Sequence, residues 1–143
     1  MEFDLEKARA ILTTHATSKL NGRFPSQFTH QHEMTNPICG DHVQLKFNIH
    51  QNHISDIGFF TQACAICSAS ASLMTELIKG QSLDTVRKFA GSFEDSLLAP
   101  ATAVWPSALN TLKSFEHLKI NPARKACALL PWIALKSAVK EIL

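Results

Sequence analysis

The reactive chemistry of this 143-residue chain rests on four cysteines at three separated places. Cys39 lies in Asn36-Pro37-Ile38-Cys39-Gly40-Asp41. Pro37 and Gly40 tighten that loop, and Gly40 can take backbone angles closed to other residues. A thiolate at Cys39 and a carboxylate at Asp41, two residues on, can both face one ion. Cys64 lies in Thr61-Gln62-Ala63-Cys64-Ala65-Ile66-Cys67-Ser68, where a strand pattern gives way to a helical one. A cysteine at a helix start meets unpaired N–H groups and the positive end of the dipole, which favour its thiolate. Cys127 follows Arg124-Lys125-Ala126, whose two cations are expected to act in the same sense. Three sulfurs and one oxygen make a reasonable tetrahedral set for zinc or iron.

Each feature also has a plainer reading. Free cysteine is among the most buried residue types and packs as a small hydrophobe. The spacing Cys64-x-x-Cys67 would suit a zinc knuckle or a thioredoxin-like redox pair. No second CxxC or CxxH accompanies it, and no βαβ pattern surrounds it. His30, His32, His42, His50 and His53 cluster in the strand region, where His30 and His32 would share a face. That pair would suit a second metal site, or simply an exposed strand face. Arg124 would hold an incoming anion or stand as a solvated charge.

The elements that must position these residues are legible from periodicity. Asp4 is placed to cap a first helix whose apolar positions are Leu5, Ala8, Ile11 and Leu12, ending near Leu20 before Asn21-Gly22. Val43, Leu45, Phe47 and Ile49 alternate with polar residues and predict a half-buried strand. Gln51-Asn52 predicts a turn, and Ile54, Ile57, Phe59 and Phe60 a second strand with a less regular phase. A further strand over Phe28 to Met34 would complete an antiparallel meander. Beyond residue 65 the chain reads as helical. Gly80 marks a helix end and Ser82 the next start. Pro106 would open another helix. Pro131 is expected in the first turn of the last helix, because a proline inside a helix costs about 3 kcal/mol. One α+β domain over residues 1–143 follows, with a small three-stranded antiparallel sheet against about five helices.

Composition narrows the function. Fourteen basic against twelve acidic residues give a formal charge of +2, with no dense basic stripe to suggest nucleic acid. With 45% apolar residues the chain can build a core without disulfides. The acidic start MEFDLEKARAIL does not read as a signal peptide, and the apolar stretch Ala126 to Leu135 is too short to span a bilayer. A cytoplasmic protein is expected, not bound to membrane. Thiols stay reduced there, which directs four cysteines towards metal or sulfur chemistry.

The segments NPICGD (36–41), ACAICSASASLMTELIKG (63–80) and RKACALLPWIAL (124–135) closely resemble the IscU/SufU family of iron–sulfur cluster assembly scaffolds. The resemblance runs over nearly the whole chain from about residue 30. It implies metal ligation by Cys39, Asp41, Cys64 and Cys127, with Cys127 as the acceptor of persulfide sulfur. It implies a cysteine desulfurase as donor, apo iron–sulfur proteins as acceptors, and zinc, iron or a 2Fe–2S cluster at the site. Residues 92–121 correspond to the extra segment of the SufU branch. The LPPVK motif of the IscU branch is absent, its place taken by Lys119-Ile120-Asn121-Pro122-Ala123-Arg124. Ala63 stands where the family usually has glycine, and Cys67 where it usually has serine. Cys67 is then a spare ligand, a resolving thiol or a packed serine substitute. A zinc-stabilised interaction domain and a CxxC redox protein are the competing readings.

Overall fold

The computed structural model describes residues 5–17, 23–37, 40–100, 104–140 and 142. Strands β1 (His30–Thr35), β2 (His42–His50) and β3 (His53–Gln62) form an antiparallel meander in the order β1-β2-β3. Helix α1 (Leu5–Ala16) precedes the sheet. Helices α2 (Ala65–Ile78) and α3 (Leu83–Leu98), a 3-10 segment (Ser107–Leu118) and helix α4 (Pro122–Lys140) follow it. The three-stranded sheet with a helical carboxyl half is the architecture that the periodicity predicts. Among the described residues no helix is long and apolar enough to cross a membrane.

Alternation decides which sheet face is covered. Val43, Leu45 and Phe47 of β2 are buried, and residues between them are only partly so. At the β2–β3 turn Gln51 and Asn52 both take left-handed angles, φ 49° and 64°. Two positive φ values in succession suit a two-residue hairpin, whose twist matches that of the strands. The irregular phase of β3 has a cause in the register. Asn48 pairs with Asp56 and Ile49 with Ile54, so Ser55 is an extra residue on β3. This bulge moves the buried positions from Ile54 to Ile57 and Phe59.

Helix α2 is buried along most of its length and packs on β3, α1 and α4, while α4 lies against β1 and β2. Phe93 of α3 centres an aromatic cluster, 5.8 Å from Phe115 and 5.3 Å from Trp132. The stretch before the last cysteine is anchored by a nearly buried pair: Lys119 Nζ lies 3.0 Å from Glu116 Oε2, which also accepts the Trp105 indole N–H at 2.6 Å.

Two expectations are corrected here. Pro106 opens a 3-10 segment rather than an α-helix: Leu109 N–H bonds the Pro106 carbonyl three residues back, and Leu109 itself is non-helical at φ −103°, ψ 22°. Pro131 lies inside α4, not in its first turn, because Pro122 already occupies that turn. The lost helical bond is set beside a bond between helices: Ser70 Oγ of α2 donates to the Ala128 carbonyl at 2.5 Å. The proposed Asp4 cap and the end of the first helix beyond Thr17 lie outside the described residues.

Gly58 marks a close approach of two chain segments. A Cβ there would collide with the backbone of Arg23 and Phe24, which crosses the strand at this point. Backbone cannot rotate away as a side chain does, so Gly58→Ala should lower stability by about 1–3 kcal/mol. Urea unfolding of the two proteins measures the difference, and an unchanged midpoint would contradict the crossing.

Candidate metal centre

Three chain segments meet at one point. The first is the loop entering β2. Asn36 N–H donates to the Asp41 carbonyl and Gly40 N–H to the Asn36 carbonyl, each at 2.8 Å. Gly40 sits at φ +76°, a left-handed angle that glycine takes without strain. The loop so closed turns Asp41 inward, where the residue is only 7% exposed. At the next residue, the His42 ring bonds Thr35 Oγ1 of β1 at 2.7 Å and lies 3.1 Å from Glu33 Oε2. Those contacts fasten the loop's exit to the sheet.

The second segment is the corner between β3 and α2. Cys64 is the N-cap of α2, with extended backbone (φ −64°, ψ 163°), and its Sγ accepts the Cys67 N–H at 3.5 Å. Its own N–H donates to Asp41 Oδ1 at 3.3 Å. A hydroxyl pair, Thr61 with Ser68 at 2.8 Å, closes the corner from β3 to the first turn of α2. Ala63 requires no glycine angle: among the described non-glycine residues only Gln51 and Asn52 have positive φ. The substitution therefore leaves this turn unstrained.

The third segment is α4, which carries Cys127 in its second turn, 8% exposed. One ligand atom each from Asp41, Cys64 and Cys127 lies within 4.8 Å of the others. Bonds of about 2.0–2.3 Å to a tetrahedral zinc ion would set such atoms roughly 3.3–3.8 Å apart, so a modest contraction would close the site. Asp41 Oδ2 is buried and accepts no hydrogen bond from the described residues. A buried carboxylate oxygen without a donor is costly, and a cation between it and two sulfurs is the partner that this donor set fits.

Of the sequence-identified residues, Asp41, Cys64 and Cys127 are brought together. Cys39 lies outside the described residues. Cys67 is fully buried in the core, and its thiol is not among the three converging groups, although its amide donates to Cys64 Sγ. His30 stacks on Phe47 at 5.4 Å, and among the described residues no second group of metal-ligating atoms converges. Arg124 is exposed and lines a cavity of about 420 Å³ together with Arg9, His117, Ala65 and Ile66. Burial, then the charges of Arg9 and Arg124, hold the His117 imidazole below its usual range. The Thr61–Ser68 and Ser70–Ala128 bonds carried no sequence signal, since serine and threonine are common in helices and turns.

The expected effect of the cations next to Cys127 is corrected. Burial pushes this thiol well above its ordinary range, and Asp41 and Cys64 beside it push in the same direction. Arg124 lies on the exposed side of α4 and does not offset the local acceptors. The sign for stability follows. In the unfolded chain Cys127 ionises near the ordinary 9.0, while the folded chain keeps its proton. Above that pH the unfolded state binds fewer protons and gains. Metal-free protein should therefore lose resistance to urea progressively above about pH 9, and Cys127→Ala should flatten part of that slope.

Known proteins resemble this chain over much of its length. A family profile described as the NifU-like N terminal domain matches residues 6–96. The zinc-dependent sulfurtransferase SufU of Bacillus subtilis is 32% identical over 109 residues, covering 76% of this chain and 74% of that protein. The iron–sulfur cluster assembly scaffold protein IscU of Thermotoga maritima is 30% identical over 142 residues, covering 99% and 98%. A crystal structure from Fervidobacterium islandicum AW-1, described as a cluster assembly scaffold for the SUF system, superposes with a TM-score of 0.83 at 27% identity. It covers 90% of this chain and 93% of that one.

Proposed function

Since the chain belongs to the NifU-like N-terminal domain family, we propose that it serves iron–sulfur cluster assembly, taking up persulfide sulfur at Cys127 beside a metal held by Cys39, Asp41, Cys64 and Cys127. The observation that carries this reading is the convergence of Asp41, Cys64 and Cys127 around an unbonded buried carboxylate oxygen. The two kinds of relative, a zinc-dependent sulfurtransferase and a cluster scaffold, support the same site with either zinc or iron in it. When bound, such an ion would supply positive charge that keeps the ligating sulfurs deprotonated. A reducing compartment such as the cytoplasm would keep the thiols available.

The residues of this chain then divide the work. In the metal-free chain burial keeps the Cys127 proton in place until a base takes it. The Asp41 carboxylate, one of the three converging groups, is the base at hand for that proton. The Cys127 thiolate attacks the outer sulfur of a persulfide on a cysteine desulfurase. A new S–S bond forms at Cys127, the donor's S–S bond breaks, and its electron pair stays on the donor thiolate, so no net oxidation occurs. Cys64, fixed by its place at the helix cap, keeps its sulfur facing the same point. Asp41 would be the oxygen ligand of the set, holding iron less tightly than sulfur would.

Metal and labile-sulfide analysis of protein purified without oxygen, followed by mass spectrometry after treatment with a cysteine desulfurase and cysteine, tests the proposal. A persulfide on Cys127, lost in Cys127→Ser, is the expected result. Zinc with no sulfur uptake would instead mark a structural metal domain. If the chain carries a cluster as cargo, Asp41→Ala should slow its transfer to an acceptor apoprotein. An unchanged transfer rate would remove Asp41 from that role.

A further inference from the structure

Pro131 is left without a part in the function above. A proline within a helix removes the N–H that would bond the carbonyl four residues back. Four residues before Pro131 is Cys127. The neighbouring carbonyl, that of Ala128, accepts the Ser70 hydroxyl of α2 at 2.5 Å. Ser70 is fully buried and lies on the helix that Cys64 caps. A serine inside a helix commonly turns its hydroxyl back to its own helix. Here it reaches across to the neighbouring one. The two helices that carry Cys64 and Cys127 are thus joined by a buried directional bond one residue from the Cys127 thiol.

We propose that Ser70 and Pro131 are positioning residues that set the height of Cys127 against Cys64 and Asp41. Most of the buried α4 face is apolar, with Leu130, Trp132, Ala134 and Leu135 in the core. Apolar packing is non-directional and tolerates small shifts along a helix. The site does not: its ligand atoms must come within a few ångström of one ion. Pro131 breaks the helical bond at the Cys127 carbonyl, which lets α4 bend there. The Ser70 hydroxyl then fixes where α4 docks. The consequence for ligation rests on the metal reading above, whereas the placement of the two sulfurs does not.

Ser70→Ala and Pro131→Ala in the full chain test this with two readouts besides thermal unfolding. The first is cobalt(II) binding by metal-free protein, read as affinity and as the d–d and sulfur-to-metal absorption bands. The second is mass-spectrometric yield of the Cys64–Cys127 disulfide after brief oxidation of metal-free protein with diamide. Both variants should unfold cooperatively, bind cobalt about tenfold more weakly with shifted bands, and lose most of that disulfide. Wild-type spectra together with wild-type disulfide yield in both variants would overturn the proposal. If Ser70→Ala does not fold, Pro131→Ala decides by the same criteria. If the parent chain takes up no cobalt, the metal reading fails, and the disulfide yield alone decides the positioning role.

Discussion

Cys64 meets two demands at one residue. Its sulfur caps α2, and its amide donates to Asp41 on the loop that enters β2. The first makes the start of the most buried helix coincide with a candidate ligand. The second ties that start to the one carboxylate in the cluster. Because α2 is packed against β3, α1 and α4, the position of Cys64 inherits the rigidity of the close-packed core. The Thr61–Ser68 bond at the same corner leaves little freedom between strand end and helix start.

That rigidity has a cost in the metal-free chain. Asp41 Oδ2 is buried without a donor among the described residues, and the Cys127 thiol sits where burial and its neighbours disfavour ionisation. An unsatisfied buried polar group costs about 1–3 kcal/mol. A fold optimised only for stability would fill such a point with apolar side chains. A cation held by Asp41, Cys64 and Cys127 would reverse each term, giving the carboxylate a partner and favouring the deprotonated thiol. The local conflict between packing and polarity is what a binding site built into a rigid core looks like.

Much of the scaffold was readable from the chain. The alternation Val43, Leu45, Phe47 dictated a strand with one buried face, and Gly80, at φ +85°, ends α2 as its position implied. The β3 bulge was visible only as an irregular phase, because which residue is extra depends on the pairing with β2. Pro131 was misplaced because helix propensity counts the lost bond. It cannot count the inter-helix packing and the Ser70 contact that exist only after α2 and α4 dock. Local rules fail where a tertiary partner supplies what the local chain lacks.

The candidate ligands themselves came from residue type and motif: a cysteine on a turn, another at a helix start, a third near the carboxyl end, and an aspartate in the first loop. By itself the sequence determined the order of elements, the buried face of the sheet and the identity of these residues, since each follows from short-range periodicity or covalent spacing. Only the tertiary structure decided that Asp41, Cys64 and Cys127 share one point, that Cys67 belongs to the core, and that Cys127 is buried rather than activated by its cations. Those outcomes turn on distances between segments far apart in the chain and on solvent exclusion, and neither exists until the helices have closed over the sheet.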